Sequence, residues 1–93
     1  SSSSTSMNSM NSMNRANTQL QSNVSVMNSK NSNSSNSSNS SNASIQTANK
    51  LASNANKATE IANKLPEANK SNAIIVANNT IALANKAVSE ISV

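Results

Sequence analysis

The stretch Ala48-Asn49-Lys50-Leu51-Ala52-Ser53-Asn54-Ala55-Asn56-Lys57-Ala58-Thr59-Glu60-Ile61-Ala62-Asn63-Lys64 carries the triplet Ala-Asn-Lys three times, each seven residues after the last. Taking the repeat alanines Ala48, Ala55 and Ala62 as one apolar position places a second on Leu51, Ala58 and Leu65. Apolar residues that alternate three and four apart form one stripe along a helix, the seam of a coiled coil or bundle. Each Asn-Lys pair falls beside that stripe, so Asn49, Lys50, Asn56 and Lys57 are expected to face water.

A second block continues the pattern. Here the two alternating positions are Ile74, Ile81 and Val88, and Ala77, Ala84 and Ile91. The blocks are out of phase, because Ala62 and Ala77 are fifteen residues apart rather than fourteen. Between them lies Pro66, which has no N–H to donate and disfavours helix at Leu65. The reading is a helix over 45–64, a break over 65–72 capped by Ser71 or Asn72, and a helix over 73–92. A short break predicts an antiparallel hairpin, with a kinked continuous helix as the alternative.

Alanine on a seam lets helix axes come close but buries little surface. Ala73-Ile74-Ile75-Val76-Ala77 with Ile81-Ala82-Leu83-Ala84 makes the last helix apolar over more than half its circumference. Such a helix needs more than one neighbour, as in a bundle or a multi-subunit assembly.

Working back toward the start, residues 28–44 read Asn-Ser-Lys-Asn-Ser-Asn-Ser-Ser-Asn-Ser-Ser-Asn-Ser-Ser-Asn-Ala-Ser. Nothing in this tract can be buried, and Ser and Asn side chains compete for backbone hydrogen bonds, so it reads as a low-complexity linker. Sequons begin at Asn23, Asn33, Asn36, Asn39, Asn42, Asn69 and Asn78, close to the roughly six that composition alone yields. Residues 1–30 hold a sparse stripe, Met7, Met10, Met13, Ala16, Leu20, Val24 and Met27, that fits a helix over about 8–28. Methionine there reads as packing filler. The fold expected is therefore all-α: segments 1–30, 31–44 and 45–93, the last a helical hairpin or bundle element.

The composition bounds function. Of 93 residues, 22 are Ser and 20 Asn; His, Cys, Asp, Gly and aromatic residues are all absent. General acid–base and nucleophilic sites are built mainly from the missing types, so no catalytic residue is assigned and the chain is not expected to be an enzyme. Glu60, Glu67 and Glu90 form no paired-carboxylate pattern, and there is no glycine-rich phosphate loop. The chain offers no metal-ligand set, so no metal or cofactor is expected. The net charge is +4, but no two Lys/Arg are adjacent and no aromatic can stack on a base, which argues against a nucleic-acid partner. Thr47, Thr59 and Thr80 share no helical period, so no regular threonine face exists for ice adsorption.

Function then rests on the seam of Ala48, Leu51, Ala55, Ala58, Ala62, Leu65, Ile74, Ala77, Ile81, Ala84, Val88 and Ile91. The expectation is a structural protein that packs with copies of itself or within a larger assembly, such as a filament, fibre or coat, in an extracellular or virion-type setting. A lone chain with such a seam is expected to be poorly stable. The alternative is a small secreted helical peptide that folds on a membrane surface or a partner helix.

Overall fold

The three-and-four spacing does produce helices. The computed structural model describes residues 2–32 and 39–92, and these form three α-helices: α1 (Ser2–Ser32), α2 (Asn39–Lys64) and α3 (Glu67–Ser92). No strand occurs among the described residues, and the fold is all-α. The helices lie side by side in a rod 53 × 17 × 16 Å. α2 and α3 share the most extensive contact, and α1 packs against both.

The direction of each helix follows from its partners. Asn14 of α1 bonds Asn63 of α2, while Asn28 bonds Asn49, so α1 and α2 run antiparallel. At the far end of the hairpin Ala43 and Thr47 of α2 line one groove with Ala87 and Ile91 of α3, so these two also run antiparallel. The topology is up-down-up, with α1 and α3 parallel. The kinked continuous helix is not formed.

The turn is shorter than the sequence implies. Only Leu65 and Pro66 lie outside helix, and Ser71 and Asn72 sit within α3 rather than capping it. The reason is that the turn closes on other groups. The Leu65 N–H donates to the Ile61 carbonyl at 3.1 Å and the Asn69 N–H to the Pro66 carbonyl at 2.9 Å, so α3 starts directly after proline. The Lys70 ammonium reaches back across the turn to the carbonyls of Ala62 at 3.3 Å and Asn63 at 3.0 Å. It satisfies carbonyls that the end of α2 leaves open, and its charge suits the negative end of the helix dipole. Glu67 complements the dipole of α3 in the same way.

Helices α1 and α2 extend further than periodicity indicates. α1 runs to Ser32 and α2 begins at Asn39, so much of the Ser/Asn tract is helical; residues 33–38, with the sequons at Asn33 and Asn36, lie outside the described residues. Ser and Asn cost only about 0.5 kcal/mol per residue relative to alanine in a helix, and continuation from a packed segment offsets that. Threonine is accommodated by bonding its own helix: Thr18, Thr47, Thr59 and Thr80 each donate Oγ1 to the carbonyl four residues earlier, at 2.8–3.0 Å.

Small and large residues are divided between the elements. The hairpin interior is built on alanine: Ala48, Ala52, Ala55 and Ala62 of α2, and Ala77 and Ala84 of α3, with Ile74, Ile81 and Val88. α1 contributes the bulk. Met13, Leu20 and Met27, seven residues apart, are the largest fully buried side chains, joined by Val24. Alanine draws α2 and α3 together, and the long side chains of α1 lie over the pair. Met10 and Ala16 are half-buried, while Met7 is exposed.

Candidate interaction surface

The surfaces of the three helices fall into an inner seam, an amide seam and an outer face. On the inner seam Ala48, Ala55, Ala62, Ile74, Ala77, Ile81, Ala84 and Val88 are buried. Leu51, Ala58, Leu65 and Ile91 are half-buried at its edges. Two residues outside that set are also buried, Ala52 and Thr59, seven apart on α2. They widen the apolar stripe toward α1. A third helix requires a wider stripe than a two-helix seam does, which was the signal for them. The Thr59 hydroxyl is satisfied by the Ala55 carbonyl at 2.8 Å.

The amide seam joins α1 to α2, and it corrects the expectation that the repeat asparagines face water. Lys50 and Lys57 are exposed, but Asn49 and Asn56 are half-buried. Each repeat asparagine meets an amide of α1. Asn63 and Asn14 exchange bonds in both directions at 2.8 and 3.2 Å, as do Asn49 and Asn28 at 3.1 and 2.9 Å. Between them Asn17 donates to Asn56 at 2.9 Å. Gln21 braces that rung, donating to Asn17 Oδ1 at 3.1 Å and to the Ala52 carbonyl at 3.0 Å. Asn14, Gln21 and Asn28 repeat every seven residues on α1, as Asn49, Asn56 and Asn63 do on α2. An amide carries both donor and acceptor, so like residues pair without any charge. Asn17, nine-tenths buried, is satisfied by this network, and every buried side-chain nitrogen and oxygen among the described residues has a partner.

The outer face holds what the bundle leaves over. Ile61 of α2 and Ile75, Val76 and Leu83 of α3 are 56–59% exposed, and Val26 of α1 is half exposed. Three of these five belong to α3. Lys50, Lys57 and Lys64 form an exposed row on α2, seven residues and hence about 10.5 Å apart. Open grooves run between α1 and α3, bordered by Ser12 and Ile75 at one end and by Val26 and Lys86 at the other. Among the described residues no group of three or more His, Cys, Asp or Glu could hold a metal ion, and no helix is long and apolar enough to cross a membrane. Compared with known proteins, the chain matches no family model, and no curated protein or solved structure shows significant similarity to it.

Proposed function

We propose that the chain is a structural assembly unit: a short helical rod that packs with copies of itself, or within a larger filament, fibre or coat, and performs no chemistry of its own. The observation that carries this reading is the outer face. The inner seam is filled within one chain, with α1 as the third helix, yet Ile61, Ile75, Val76 and Leu83 remain exposed. Ile75, Val76 and Leu83 share one face of α3, and large aliphatic residues left exposed along one face mark a contact site. The composition agrees, since His, Cys and Asp, from which catalytic and metal sites are mainly built, are absent from the sequence.

Sedimentation velocity over a wide concentration range tests it. The expected result is a mass that climbs above the 9.6 kDa of one chain as concentration rises. A single-chain mass up to millimolar concentration, with binding only to anionic lipid vesicles, would replace this reading with surface-induced folding.

A further inference from the structure

We propose that the outer face of α3 is a self-recognition stripe, which pairs antiparallel with the same stripe of a second copy about a two-fold axis through Asn79. The inference rests on the assembly reading above and names the face and partner for it.

The stripe is a second seam on the same helix. Asn72, Ile75 and Val76, Asn79, Ala82 and Leu83, and Lys86 recur three or four residues apart, and all are exposed. The inner seam of Ile74, Ala77, Ile81, Ala84 and Val88 occupies the opposite side. A stripe of this spacing fits a neighbouring helix, just as the inner one does.

Its order identifies the occupant. Ile75 and Val76 stand four and three residues before Asn79, and Ala82 and Leu83 stand three and four residues after it. Asn72 and Lys86 flank the set seven residues away on each side. The apolar pattern therefore reads the same in both directions from Asn79. In a two-fold contact residue i meets j and j meets i, so a pattern of this kind sets apolar against apolar along the whole stripe. Antiparallel pairing sets Ile75 against Leu83 and Val76 against Ala82 of the second copy. Lys86 falls opposite Asn72, so the two copies' Lys86 ammonium groups stay apart. Asn79 meets its own counterpart on the axis, an amide-to-amide contact of the kind this chain already makes at Asn14–Asn63 and Asn28–Asn49. A polar residue at one seam position is a known means of fixing register. A single helix face of about four turns falls short of the ~800 Å² per partner of a standard interface, so the pairing is weak and concentration-dependent.

The test uses the full chain. Because it contains no cysteine, Asn79→Cys introduces a lone thiol at the axis. Under mild oxidation this variant is expected to form a disulfide-linked dimer, whereas Asn54→Cys, exposed on α2, is not. Leu83→Asn and Val76→Asn, at exposed positions, should each leave far-ultraviolet helicity unchanged while raising the dissociation constant at least ten-fold. Self-association that persists unchanged in these variants, with equal cross-linking at positions 54 and 79, would overturn the α3 stripe and leave assembly through another face. A wild-type chain that never associates would overturn the assembly reading and the stripe together.

Discussion

An asparagine beside an apolar seam has two fates, and its neighbour on the next helix decides between them. Asn56 was expected in water because its Lys57 companion is, yet it accepts a hydrogen bond from the nine-tenths-buried Asn17. A pair of this kind is asymmetric in energy. Removing one member leaves a buried amide unsatisfied, whereas removing both leaves only Gln21, which keeps its bond to the Ala52 carbonyl. Asn56→Leu alone should cost about 1–3 kcal/mol, and adding Asn17→Leu should recover most of that, as read from urea midpoints of the two single variants and the double. If the two substitutions simply added, the pair would not be coupled. At the exposed rung, Asn28→Ala should change stability by no more than about 0.5 kcal/mol.

At the scale of the element, periodicity was legible and boundaries were not. The three-and-four alternation from Ala48 to Ile91 identifies two helices from spacing alone, and Pro66 marks the interruption. The turn shrank to two residues because Lys70, four places into the next helix, supplies the closing contact. No local cap rule reveals a cation that reaches backward across a turn. Lys70→Met keeps the aliphatic stem and removes the donor. It should lower stability by about 1 kcal/mol, read as a reduced urea midpoint with unchanged slope. An unchanged midpoint would mean that water serves the Ala62 and Asn63 carbonyls equally well. The amide seam was hidden for a different reason. Asn14, Gln21 and Asn28 have an evident seven-residue period, but the period acquires meaning only once α1 is known to lie against the asparagine side of α2.

For the whole molecule, the division of labour between helices determines how it fails. The hairpin is lined with alanine, which returns little per buried residue, while Met13, Leu20 and Met27 are fully buried beneath α1. Leu20→Ala should cost about 2–5 kcal/mol, comparable with the entire stability of so small a domain. The expected outcome is loss of helicity from all three helices together, monitored by circular dichroism at a concentration low enough to keep copies apart. Retention of roughly two thirds of the signal would instead show that α2 and α3 stand without α1.

The amide ladder has a consequence for how the chain finds this arrangement. Its rungs recur every seven residues on α2, at Asn49, Asn56 and Asn63, but not on α1, where the partners are Asn28, Asn17 and Asn14; the buried Met13, Leu20 and Met27 do keep that interval. A slide of α1 by one interval therefore exchanges methionine for leucine at similar volume, yet puts Met10 or Val24 where Asn17 meets Asn56. The apolar spacing alone resembles a ruler with identical graduations, on which neighbouring settings look alike. Discrimination between settings falls to the middle rung, Asn17–Asn56, so a residue that stands off the seven-residue interval selects the alignment of α1 on α2 during folding.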